Sequence, residues 1–248
     1  QGVRAQGLSV QPFLDDAGID PQLIDATSAR VTGEQSVALF RAITVRLGDD
    51  GLGFFSRRLK VGSLALIMRS ALGAPTLNVA MRRMARTLQL LQDDLVVVRE
   101  REGALACWGY RFAQPHPNFM HELVLRLFWR VLAWFNGGRL PAERFDFAFE
   151  CPAYAGSYHH VFPAPLRFEQ SMTAVWFDAA ELDKPVRRDE AALRAFFADA
   201  QGNIILPRRR DDEVSLRVRL HLQSAPGLWP DLAGTAAETV LGSQFEQG

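Results

Sequence analysis

The sequence predicts an α+β fold: an antiparallel or mixed sheet of about five strands flanked by helices, with a helical subregion at the amino-terminal end. In Arg144 to Cys151, Phe145, Phe147 and Phe149 interleave with Asp146, Ala148 and Glu150, the period-two pattern of a strand with one buried face. In Thr76 to Gln92, by contrast, Leu77, Ala80, Met81, Met84, Leu88 and Leu91 recur at the spacing of an amphipathic helix. Over 248 residues, a composition of 48% hydrophobic and 23% charged residues is that of a soluble globular chain with one substantial core.

Residues 8 to 30 read as a short helical lead-in, with Phe13 and Leu14, a break at Gly18, and Pro21 opening Gln22 to Ala26; proline suits a first helical turn because its missing N–H is not needed there. Thr32 to Leu47 is an amphipathic helix: Thr32 followed by Gln35 makes a capping box, and Val37, Phe40, Ala42, Ile43 and Leu47 form the stripe. Gly48 to Gly51 end it. Leu64 to Leu72 is helical, Gly73 to Pro75 break the chain, and Thr76 to Gln92 follow with Arg82, Arg83 and Arg86 on a solvated outer face.

Leu95 to Arg101 and Ala104 to Phe112 form a hairpin about Gly103, with Trp108, Tyr110 and Phe112 on one face and Cys107, Gly109 and Arg111 on the other. Asn118 to Phe135 is the most apolar helix, capped by Asn118 and stopped by Gly137-Gly138; Glu122, Arg126 and Arg130 make its one polar stripe. After the strand at Arg144 to Cys151 comes a short helix within Ala153 to Val161. Tyr158 to Asp178 then reads as a hairpin, Leu166 to Gln170 returning against Val175 to Asp178, with Pro163 and Pro165 kept outside the ladder. Asp189 to Ala200 is helical and ends at Gly202-Asn203.

Tyr158, the Phe162-Pro163 pair, the Leu166-Arg167-Phe168 step and the later Glu181, Leu182 and Pro185 resemble the amino-terminal effector domain of AraC-type transcription regulators, the arabinose-binding-like group. Ala74-Pro75-Thr76-Leu77 resembles the step that opens a helix in that family. The resemblance implies a ligand-sensing, dimerising domain over residues 1–210. Residues 211–248 would then be a linker and an incomplete start of a helix-turn-helix domain. Pro207 to Arg210 would lie in the connector, Glu213 onward in a first helix and Trp229 to Ala233 in the next, with no recognition helix in TVLGSQFEQG. The implied partners are a small-molecule effector and a second copy of the chain, with DNA contacted only through that carboxy-terminal domain.

With 28 basic and 28 acidic residues the chain lacks the net positive field of a stand-alone DNA reader. Cys107 and Cys151 are too few for a disulfide framework and read as free thiols. The opening QGVRAQGLSVQPFLDD holds no apolar run of signal-peptide type, and no window is apolar for long enough to span a bilayer, so a cytoplasmic location without membrane contact is expected.

No cofactor motif is present: the glycines form neither a dinucleotide fingerprint nor a phosphate loop, and Leu125 stands where a second histidine would complete a zinc-protease helix. His116, His121, His159 and His160 read as packing, capping or ligand contacts rather than metal ligands. No nucleophile elbow is present either. The candidate ligand-binding residues are Trp108, Tyr110, Phe112, His121, Trp129, Tyr158 and His159, because aromatic rings with polar tips suit a small-molecule pocket. No catalytic residue is assigned. Two alternatives stand beside the sensor: a small hydrolase- or isomerase-like enzyme pairing His121 or His159 with Glu122 or Glu150, and a dimerisation module with no ligand.

Overall fold

The computed structural model describes residues 2–25 and 30–206; the expected linker and helix-turn-helix start after residue 210 lie outside them. The amino-terminal end is helical: α1 (Gly2–Ala5), α2 (Gln11–Ala17), a 3-10 turn at Pro21–Asp25 and α3 (Gly33–Leu47). Thr32 caps α3 with the reciprocal Thr32–Gln35 pairing of a capping box, and Gly48 ends it in the left-handed conformation at φ 60°. Val3, Phe13 and Ala42 form one small core here and Leu14, Ala17 and Ile19 another, both packed on the α2–α3 pair. Across that pair, Arg46 Nε donates to Asp16 at 2.6 Å.

Helices α4 (Ser63–Ser70) and α5 (Leu77–Leu91) follow. Thr76 caps α5, and Arg82, Arg83 and Arg86 are exposed on its outer side. The sheet then begins with β1 (Leu95–Val98), β2 (Arg101–Glu102) and β3 (Leu105–Phe112); both short strands pair antiparallel with β3, and Gly103 turns the chain at φ 60°. Helix α6 (Asn118–Phe135) crosses the sheet, followed by β4 (Arg144–Asp146), β5 (Leu166–Arg167), β6 (Thr173–Asp178), α7 (Glu190–Ala198) and α8 (Ala200–Ile205). Strand order is β1-β3-β6-β4-β5, antiparallel except for the β4–β5 pair.

One face of the sheet packs beneath α5 and α6. Trp108, Tyr110, Phe145, Val175 and Phe177 point there and join Met84, Leu88, Leu125, Phe128 and Leu132 in the main core. The register Trp108–Val175 and Cys107–Trp176 sends alternate residues to opposite faces, so Cys107, Ala174 and Trp176 make a second, smaller cluster with Met172. Arg144 and Asp146 are buried beside it. The Arg144 guanidinium lies over Trp176 at 4.4 Å, and the Trp176 indole N–H donates to Asp146 at 2.6 Å.

Four local expectations are corrected. Leu166 to Gln170 does not pair with β6: β4 lies between them, and β5 runs parallel to β4, with Phe145 N donating to Pro165 O and Phe147 N to Arg167 O. Leu166 and Phe168 stack on the Phe145 and Phe147 side of β4, a non-local preference that local alternation cannot encode. The long link from β4 to β5, through a 3-10 turn at Ala155–His160, gives a parallel pair the crossover it needs. The strand expected over Arg144 to Cys151 is regular only to Asp146, because beyond it Ala148 N turns to the Thr173 hydroxyl.

Asn118 does not cap α6: Pro117 occupies that position without a side-chain bond, and Asn118 is the first helical residue. Gly202 does not end the last helix. Asp199 instead starts α8 there, its carboxylate accepting from Gly202 N, so the run expected as one helix is two.

Candidate functional site

A cavity of about 400 Å³ opens between the amino-terminal helices and the layer formed by α5, α6 and the sheet edge, within the size range of small-molecule sites. Its floor is core: Ile67, Leu88, Leu95, Met120, Val124 and Phe128 are all buried. α3 contributes Phe40 and Thr44, α4 contributes Leu64 and Ala65, and α8 contributes Ala200, Gln201, Ile204 and Ile205. Leu123 and Leu127 of α6, Phe197 of α7 and the loop from Asp50 to Gly62 complete the wall.

That loop is held from inside. Asp49, only 2% exposed, accepts from Gly51 N at 2.8 Å, Leu59 N at 3.0 Å and Gly53 N at 2.9 Å, while Asp50 N donates to Leu59 O at 2.7 Å. A buried carboxylate that takes three backbone amides fixes a turn that has no strand or helix of its own. Outward ties complete it: the Ser56 hydroxyl donates to Asp94 at 2.7 Å and the Gln92 amide to Arg57 O at 2.7 Å. Between these anchors Leu52 is buried with φ at 56°, a left-handed conformation that costs energy for a residue bearing a Cβ.

Asp50 is the single ionisable residue in the described lining. Leu64 N donates to its carboxylate at 3.0 Å, so Asp50 caps α4, whose own N-cap Gly62 has no side chain to do so. Burial raises its pKa above the usual 3.8, opposed by the amides of Gly62, Ser63 and Leu64. A second cavity of about 580 Å³ adjoins, lined by Val3, Leu39, Ile43, Phe54, Phe119 and Tyr154 among others. Phe40 and Leu52 line both and divide them.

None of the seven sequence-derived candidates lines either cavity. Trp108 is fully buried on Phe128, with ring centroids 5.0 Å apart and its indole N–H unpartnered. Tyr110 donates to the His121 carbonyl at 2.5 Å, and the Phe112 ring packs tilted against His116 with centroids 4.3 Å apart. His121 Nδ1 lies 2.8 Å from the Thr173 hydroxyl, which accepts from Ala148 N; burial holds its pKa down at about 4, with His116 adding to the effect. The Trp129 indole donates to Leu140 O at 2.9 Å. Tyr158 donates to Glu122, as does Tyr154 at 3.2 Å. His159 is exposed, bonded to Gly156 O and tilted against His160 with ring centroids 3.7 Å apart.

The seven therefore lie on or beneath α6 and toward the β4–β5 edge; His121 and Trp129 directly follow the lining residues Met120 and Phe128 along α6 but do not themselves line the cavity. Of the residues offered for the alternative acid–base pair, His121 and Glu122 turn to Thr173 and Tyr158 respectively, while His159 and Glu150 are exposed. Among the described residues no group of three or more His, Cys, Asp or Glu could hold a metal, and no helix is long and apolar enough to cross a membrane. The cavity residues escaped the sequence because most are aliphatic and indistinguishable from core. The usable signal was local: Asp49-Asp50-Gly51-Leu52-Gly53 is a breaker-rich segment between two amphipathic helices.

Residues 7–186 match the model of the amino-terminal arabinose-binding domain of AraC transcription regulators. The chain belongs to this family. The match spans α2 to the end of the sheet, so it includes every wall of the cavity except α7 and α8. An AraC amino-terminal domain is a ligand-sensing regulatory domain, and the resemblance carried by Tyr158, Phe162-Pro163 and Pro75-Thr76-Leu77 pointed to the same family. No curated protein matches the chain.

Proposed function

We propose that this AraC-family domain binds a small-molecule effector in the cavity between α3, α4, α6 and α8, and that occupancy controls DNA binding by a helix-turn-helix domain joined after residue 206. One observation carries the proposal. α8 supplies four residues to the cavity wall and is the last described element before that junction. Its carbonyl end is held by α6: Arg126 donates to Ile204 O at 3.1 Å and Ile205 O at 2.5 Å, and Arg130 to Asn203 O at 2.9 Å. Two cations on a helix carboxy-terminus satisfy carbonyls that have no partner within the helix. An effector that packs better with one position of α8 than another shifts the population of that position.

The working assembly in this proposal is a cytoplasmic homodimer. An open, deep cavity favours ligand sensing over a ligand-free dimerisation module, whose interior would be filled. Two measurements test the scheme. Filling the cavity with Ala65→Trp is expected to change amide hydrogen exchange in residues 200–205 at least fivefold while leaving β3 and β6 unchanged. Unaltered exchange in α8 would overturn the coupling. Sedimentation velocity is expected to show a dimer, and a monomer at micromolar concentration would remove that part of the scheme.

A further inference from the structure

The chemistry of the cavity narrows what it can hold. Of its described lining residues only Thr44, Asp50 and Gln201 bring polar side chains, and the rest are aliphatic, aromatic or glycine. No cation stands among them. Resting on the effector site proposed above, we infer that the cavity takes a neutral, predominantly apolar molecule offering a hydrogen-bond donor to Asp50, and does not take a sugar.

The first ground is polar satisfaction. A pentose carries a hydroxyl on nearly every carbon, and each one moved out of water needs a partner. Three polar side chains, of which Asp50 already accepts from the amino-terminal amides of α4, cannot serve that many. A pentose would also leave much of a cavity of about 400 Å³ unfilled. The second ground is charge. An anionic ligand would lose its water and meet a carboxylate with no counter-cation in the lining. A cation would have to leave water for a lining that offers it one carboxylate among aliphatic and aromatic walls, and a lone buried ion pair does not offset that loss of hydration. What remains is a ring-sized apolar body whose one donor reaches an oxygen of Asp50.

The floor suits such a body. Ile67, Leu88, Leu95, Met120 and Phe128 belong to the same core that packs Trp108 and Val175. A ligand resting on them extends a core already assembled, and apolar contact area then supplies most of the affinity. Met120 adds an adaptable, polarisable surface.

The test uses the whole chain and three probes: N-phenyl-1-naphthylamine, neutral and apolar with one N–H donor; 1-naphthoate, of similar body but anionic; and L-arabinose. The expected result is one molar equivalent of the naphthylamine bound with enhanced fluorescence, and at least tenfold weaker binding of naphthoate. Arabinose is expected to leave fluorescence and thermal midpoint unchanged. Ala65→Trp from the α4 wall, and Leu127→Trp from the α6 wall, should each weaken naphthylamine binding at least tenfold; having both guards against one variant misfolding. Asp50→Asn, which keeps an oxygen for the α4 amides, should weaken it about threefold to tenfold.

Equal or tighter binding of naphthoate overturns the charge argument. Arabinose binding that both tryptophan variants abolish overturns the ligand class while leaving the effector site standing. If neither tryptophan variant alters the binding of any probe, the cavity is not the site, and the class falls with it.

Discussion

His121 shows how burial sets a residue's chemistry. The residue is 8% exposed, its ring packed edge-on to Phe112 and Phe149 and set against a threonine hydroxyl already engaged by Ala148 N. The folded chain therefore favours the neutral imidazole, with a pKa of about 4 against the usual 6.5. The unfolded chain takes up a proton through that window and the folded chain resists it. The resulting stabilisation is complete above pH 6.5, lost as the pH falls toward 4, and on the order of 3 kcal/mol at most. Denaturant unfolding between pH 7 and 4 is expected to show the decline, and His121→Gln a flatter curve; equal slopes would place the titrating group elsewhere. The sequence marked His121 as chemically notable, yet its neighbours Thr173 and Phe149 lie far along the chain, so its role could not be read locally.

The elements that followed the sequence most closely are those whose cause is local. The capping box at Thr32 and Gln35 satisfies amides within four residues, and it starts α3 at the expected place. Thr32→Ala should cost about 1 kcal/mol in chemical denaturation, and no loss would mean that α3 is held by packing alone. Elements whose cause is distant were illegible. The apolar alternation from Leu166 to Gln170 identified extended chain, but its partner was decided by Phe147, which contacts Phe149, Tyr158, Phe162 and Phe168. That cluster binds the β4–β5 crossover to the sheet. Phe147→Ala should therefore destabilise the chain by about 3 to 5 kcal/mol, measured by thermal or denaturant unfolding. A loss below about 1 kcal/mol would show that the crossover is held by its backbone bonds instead.

At the scale of the whole molecule, the amino-terminal helices and the sheet layer meet across a cavity that neither forms alone. The Asp49 loop, the Asp50 cap on α4 and the Arg126 and Arg130 contacts to α8 hold its walls apart. The sequence by itself determined the α+β class, the helices from α3 to α6, the β1–β3 hairpin and the family, since these rest on period, caps and punctuation within a few residues. Only the tertiary structure decided that β4 separates β5 from β6. It also placed the aromatic candidates in the core and left the space between mostly aliphatic walls. A cavity is bounded by side chains from many segments, and an aliphatic residue has the same pattern whether it faces a neighbour or a void.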